Sequence, residues 1–169
     1  MEKHGEPEPW LRGTLTEVPS LTRAVLHALQ LAHEDVHRWC GGLTLAELNA
    51  HPAGLPSLAF QVQHISGSLH RLLTYAEGEE LSDMQLEELA REQEDVAGPA
   101  HLFLREFDRA MEDAVRRVRA LARRDPESAR SVGRKHLPVS LGGLLVHMAD
   151  HTQRHVGQLI TTAKVLMGN

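Results

Sequence analysis

Apolar residues recur at intervals of three and four along four separate stretches of the chain, the spacing that gathers side chains on one face of an α-helix. The first stretch, about 20–40, carries Leu21, Val25, Ala28, Ala32, Val36 and Trp39, with Pro19-Ser20 as its N-cap signal and Gly41-Gly42 as its stop. The second, about 57–77, follows Pro56, takes Ser57 as N-cap and ends before Gly78; its stripe is Leu58, Val62, Ile65, Leu69, Leu72 and Ala76. The third, about 99–123, starts at Pro99 and carries Phe103, Phe107, Ala110, Ala114, Val118 and Leu121. The fourth follows Pro138 and Ser140 and reads Leu141, Leu145, Met148, His151, His155, Leu159, Thr162 and Leu166. No stretch alternates with period two long enough to predict a strand. The pattern predicts an all-α fold in which four helices of similar length bury their stripes against one another as a four-helix bundle.

The connections are long for such a bundle. Thr44-x-x-Glu47 and Ser82-x-x-Gln85 are capping boxes, so each long connection is expected to contain a short extra helical turn. The acidic run Glu87, Glu88, Glu92, Glu94 and Asp95 reads as a solvated face. A 20-residue helix is about 30 Å long, and about twenty connecting residues reach further than that, so the spacing leaves the order of the helices open. Residues 1–19, with Pro7, Pro9 and Pro19, read as an extended arm anchored by Trp10, and 20–169 as a single bundle domain.

Composition narrows the function. The net charge is −5, from 18 basic and 23 acidic residues, so no broad basic footprint for nucleic acid is present. The opening MEKHGEPEPW has no apolar core of a leader, and no run reaches the ~18 apolar residues of a membrane span. Cys40 is the single cysteine, which excludes an internal disulfide and favours a cytoplasmic setting. The outlier is histidine, at 12 residues.

Two of these histidines interrupt the apolar stripe of the fourth helix. His151 and His155 stand one turn apart, with Cβ atoms about 5–6 Å from each other, so their imidazoles can converge on one ion. His147 lies a further turn back; a straight helix places it about 12 Å from His155, too far to share that ion. A third ligand must come from another helix, and His64, beside Ile65 within a long apolar segment, is the first choice. A rival pattern lies on the first helix, where His33-Glu34-Asp35-Val36-His37 spells H-E-x-x-H, the zinc metalloprotease signature with Glu34 as general base. The stripe there passes through Ala32 and Val36 and leaves His33 and Glu34 off its centre, and no strand edge is evident for a peptide substrate. These residues read as an exposed face, or as the mouth of the main site. Ser68, Arg71 and Tyr75 follow His64 along its face, Gln158 lies beyond His155, and Asp150 and Arg154 point aside. The 123–136 loop gathers Arg123, Arg124, Arg130, Arg134, Lys135 and His136 at one bundle end, a solvated basic loop able to attract an anion.

LPSLAFQVQHI in the second helix and HMADHTQRHVGQL near the C-terminus resemble the DinB-like (YfiT-like) superfamily. Its members carry a metal-binding histidine on the second helix and a later H-x3-H, typically within H-x3-H-x3-H-x-G-Q. Transferred onto this chain, the implied ligands are His64, His151 and His155, with Gly157 and Gln158 matching the G-Q. Val156 stands where many members have Arg, a departure expected to concern the surface more than the metal. The resemblance implies up-down-down-up helix order with 78–98 as the crossover, an open three-histidine site for nickel, zinc or a similar divalent ion, and a homodimer. It implies a metal-dependent thiol S-transferase or hydrolase acting on a small molecule such as a low-molecular-weight thiol; the alternative is a non-catalytic metal-binding bundle. Ligating imidazoles must be neutral, so metal affinity is expected to fall as pH drops through about 6.

Overall fold

The structure, a computed structural model, describes residues 6–168. The first five residues of the arm therefore lie outside the described residues. Four long helices dominate: α1 (Ser20–Cys40), α3 (Leu58–Glu77), α5 (Ala100–Leu121) and α6 (Leu141–Leu166). Two short helices, α2 (Leu45–Asn49) and α4 (Asp83–Arg91), occupy the connections at the two capping boxes, with both reciprocal hydrogen bonds formed in each. Ser57 and Ser140 cap α3 and α6 by accepting from the amides of Phe60 and Gly143. Ser20 is instead the first helical residue of α1; Pro19 takes the N-cap position and offers no side-chain bond. Gly78 ends α3 in the left-handed region, φ 92°, a conformation costly for a residue with a Cβ.

The all-helical expectation misses one element. Residues 129–140 form a hairpin, β1 (Ala129–Val132) antiparallel to β2 (Leu137–Ser140), with Ala129 opposite Ser140. Strands of four residues are too short to show period-two alternation. The hairpin also changes the role of the basic loop: the Arg130 guanidinium donates to the Ala76 carbonyl at 2.6 Å, so it satisfies a free carbonyl in the last turn of α3.

α1 packs against α5 and α6, and α3 packs against the same two helices. Between them lie Leu29, Ala32, Val36, Ile65, Leu69, Leu73, Phe107, Val118, Leu145, Met148 and Leu159, all buried. The stripes follow the expected period with small shifts: Leu29, Cys40, Leu73 and Met111 are buried in place of the neighbouring Ala28, Trp39, Leu72 and Ala110. Gln153 at the middle of α6 donates to the Ala28 carbonyl of α1, and Thr162 near its end donates to the Pro56 carbonyl just before α3. Arg117 late in α5 grips Glu77 late in α3 through two hydrogen bonds of 2.8 and 2.7 Å.

The arm is not held by Trp10. Pro9–Leu11 form one 3-10 turn, in which successive side chains point about 120° apart. Pro9 is buried, and Trp10 is 62% exposed with its indole N–H on Glu8. The attachment is Arg12, which donates to both oxygens of Glu34 on α1 at 2.6 and 2.8 Å, helped by buried Val18. Trp10→Ala should therefore change unfolding free energy by less than about 0.5 kcal/mol. Leu29→Ala, in the fully buried stripe, should cost about 2–5 kcal/mol. Urea unfolding of the two variants checks the contrast.

Candidate metal centre

In the first half of α3 and near the middle of α6, the apolar contact between the helices is replaced by imidazoles. His64 comes from α3 and His151 and His155 from α6, each partly buried, and one ring nitrogen from each lies within 4.8 Å of the others. The Nε2 atoms of His64 and His151 are 3.4 Å apart. Two nitrogens bound tetrahedrally to zinc at about 2.0–2.1 Å stand about 3.3 Å apart, so this separation fits a shared ion. His147 is exposed, its ring centre lies 5.5 Å from that of His151, and it stays outside the group.

Neighbouring residues decide which nitrogens face inward. The Nδ1–H of His64 donates at 2.7 Å to Oε2 of Glu92, a residue just past the end of α4 and 6% exposed. The other oxygen of Glu92 accepts from Arg71 at 2.6 Å. The Nδ1–H of His155 donates at 2.7 Å to Oε1 of the fully buried Gln61. With Nδ1 protonated, Nε2 of each ring carries the lone pair a metal needs; a carboxylate or amide behind a ligating histidine serves this purpose. His151 Nδ1 is buried and has no partner. Burial pushes the His151 pKa down to about 4, and the neighbouring His155 and His64 push the same way. Burial and the nearby His64 also lower His155. A cluster of three imidazoles, two of them held neutral by burial and one with a ring nitrogen lacking a partner, suits a borderline divalent ion such as zinc or nickel.

The sequence pattern does not single out Glu92, Gln61 or Gly67. Glu92 belongs to the acidic run read as a solvated face, yet it is buried between His64 and Arg71. Gln61 stands one turn before His64, and that spacing alone was a legible signal for a residue sharing its face. Gly67 makes the room: a Cβ there would collide with Glu92 Oε1 and come within 2.7 Å of the Arg71 guanidinium. Arg71 lies on the His64 face as expected and is buried in this pair. Ser68 donates back to the Ile65 carbonyl, Gln158 is exposed, and Asp150 and Arg154 pair with each other on the surface. Val156 is only 2% exposed, so the expectation that it concerns the surface is wrong. It sits one position past His155 and turns into the α6 core.

In the H-E-x-x-H segment the glutamate is not free to act as a base. Glu34, the would-be base, is gripped by Arg12, whose hydrogen bonds hold its carboxyl below the usual range against the opposing effect of burial. His33 and His37 turn instead toward Asp108 of α5. A cavity of about 370 Å³ has Glu92, His70, Phe103 and Phe107 in its wall, and its lining does not include the three clustered histidines.

The depressed His151 pKa sets a pH dependence. Between about 6.5 and 4 the unfolded chain binds a proton on this residue that the folded chain does not, so stability of the metal-free protein falls as pH drops through that window. Thermal melts of metal-free protein should show the fall, and His151→Leu should flatten it. For the same reason His151 resists protonation at pH 6, and its share of proton competition with a metal moves from near 6 toward about 4. Gly67→Ala should displace Glu92 from His64 and weaken divalent-metal binding by about 10–100-fold, the usual effect of losing the partner behind a ligating histidine. Competition with a chelating dye measures it.

A family model described as the DinB superfamily matches residues 28–159, which include all three clustered histidines. A comparison with curated proteins finds no match. Among solved structures, a conserved protein from Enterococcus faecalis is similar in fold, with a TM-score of 0.62 and 19% sequence identity over 88% of this chain and 98% of that one. Together with the imidazole cluster between α3 and α6, the match over most of the chain establishes that this protein belongs to the DinB superfamily.

Proposed function

We propose that His64, His151 and His155 bind one divalent ion, nickel or zinc, and that the protein is a metal-dependent enzyme transferring a small thiol or hydrolysing a small substrate. The observation that carries this reading is the pairing of His64 Nδ1 with Glu92 and of His155 Nδ1 with Gln61, which leaves Nε2 of each ring to supply a lone pair. An ion held there would keep its full positive charge on neutral ligands and would lower the pKa of a thiol or water at an open position. The chain's own residues supply the rest. Glu92 and Arg71 hold His64 in place, Gln61 holds His155, and the partial exposure of all three histidines leaves a way in from solvent.

The helix order belongs to the same proposal. Leu21 near the start of α1 meets Gly142 near the start of α6, so those two helices run together. His64 with His151 and Pro56 with Thr162 run oppositely, and Glu77 with Arg117 run together. These pairings support an up-down-down-up bundle over 20–169, with 78–98 as its crossover. A homodimer and a low-molecular-weight thiol partner in the cytoplasm complete the reading; among the described residues no helix is long and apolar enough to cross a membrane.

A non-catalytic metal-binding protein is the second reading, favoured by the cavity that borders Glu92 but is not lined by the histidines. Cobalt substitution separates the two. On the enzymatic reading, a small thiol added to the cobalt protein produces a charge-transfer band that is missing in His64→Ala. A spectrum altered only by water-derived ligands selects hydrolysis, and a spectrum altered by neither selects the non-catalytic reading. Metal content should be lost in His151→Ala and His155→Ala. Retention of metal in both variants would overturn the three-histidine assignment.

A further inference from the structure

The histidines of the H-E-x-x-H segment lie at the bundle surface, as expected, but they share one partner there. His33 and His37, one turn apart on α1, both direct Nε2 at a single oxygen, Oδ1 of Asp108 on α5, at 2.8 and 2.6 Å. The two ring centres are 4.7 Å apart, and the His33 ring lies nearly parallel to Phe107, with an interplanar angle of 12° and centres 5.8 Å apart. Phe107 thus fixes the plane of one ligand, and the helix fixes its spacing to the other. One ligand atom from each of the three residues lies within 4.8 Å of the others.

We propose that His33, His37 and Asp108 form a second divalent-metal site, built from different residues than the three-histidine centre, which takes a borderline first-row ion such as Zn2+ and clips α1 to α5. Two imidazoles and one carboxylate are a common zinc donor set, completed by water at the remaining positions. Ligand atoms on one zinc stand about 3.3 Å apart, so the triad opens by about half an ångström to admit the ion. The side chains have room for this, since they are 41%, 38% and 33% exposed. A cavity of about 340 Å³ lies beside His33 and Asp108, so further coordination positions face open space.

The charges also suit a cation. Burial pushes the Asp108 carboxyl upward, but the hydrogen bonds from His37 and His33 outweigh it and hold the group below the usual carboxylate range. Each imidazole now presents an Nε2–H to that carboxylate; on binding, this hydrogen moves to Nδ1 or to water and Nε2 offers its lone pair. Glu34 takes no part, because Arg12 holds both of its oxygens. The segment therefore uses the histidine spacing of a zinc protease with a different third ligand and without the base.

The test is a calorimetric titration with zinc alone, on chelator-treated full-length chains: wild type, His151→Ala, Asp108→Asn and the double variant. Two, one, one and no ions per chain are expected. Asp108→Asn is nearly isosteric, and an unchanged helical circular dichroism spectrum shows that the fold survives. His37→Gln in the His151→Ala background must lose the same ion. If Asp108→Asn or His37→Gln leaves the zinc count of its parent unchanged, the second site is overturned. If His151→Ala keeps both ions while Asp108→Asn loses one, the three-histidine reading falls and the second site stands.

Discussion

A buried carboxylate organises the centre of this protein. Glu92 is almost wholly removed from water, and a carboxylate in such a place is tolerated only when a cation and hydrogen-bond donors meet it. Arg71 supplies the charge on one oxygen and His64 a donor on the other. Removing one partner of a buried pair typically costs about 3–5 kcal/mol, so the three residues behave as a unit. That unit ties the chain just past α4 onto α3, and Gly67 permits the approach because it has no side chain to obstruct it. The same contact sets the tautomer of His64. Structural tie and ligand orientation are one interaction.

Around it, the α3–α6 interface changes character along its length. Toward its ends Leu58, Leu69, Leu145 and Leu159 pack as an ordinary apolar core. In the middle the imidazoles replace Leu, and burial keeps His151 and His155 neutral. Neutral rings packed this closely avoid mutual repulsion, yet they leave a polar atom without a partner, His151 Nδ1. A core position that leaves such a group unsatisfied is less stable than Leu would be, a local cost of the kind that accumulates at functional sites.

The two histidine clusters illustrate opposite uses of one helical spacing. Both rest on an i, i+4 pair, and both take a third group from a facing helix. In one the third group is an imidazole backed by a buried carboxylate; in the other it is the carboxylate itself, at the bundle surface. An ion held by the first would keep its full charge, whereas the second would partly neutralise it. These donor sets suit activation and clamping respectively.

How much of this was legible in the sequence follows from the range of each interaction. Helix periodicity, the capping boxes at Thr44 and Ser82, and the His151/His155 pair are local, because they depend on residues three or four positions apart. Those positions alone specify four long helices, two short ones and a pair of imidazoles on a core face. The roles of Glu92 and Asp108 are not local. They lie 28 and 75 positions from the first histidine each one meets, and an acid in a polar run looks the same whether solvated or buried. Trp10 and Val156 show the same limit at the level of facing, since the direction of one side chain in a short turn or at a stripe edge depends on what packs against it. The sequence by itself determined which segments are helical and which histidines share a face. Only the tertiary structure decided which carboxylates reach them, because that depends on how the helices pack together.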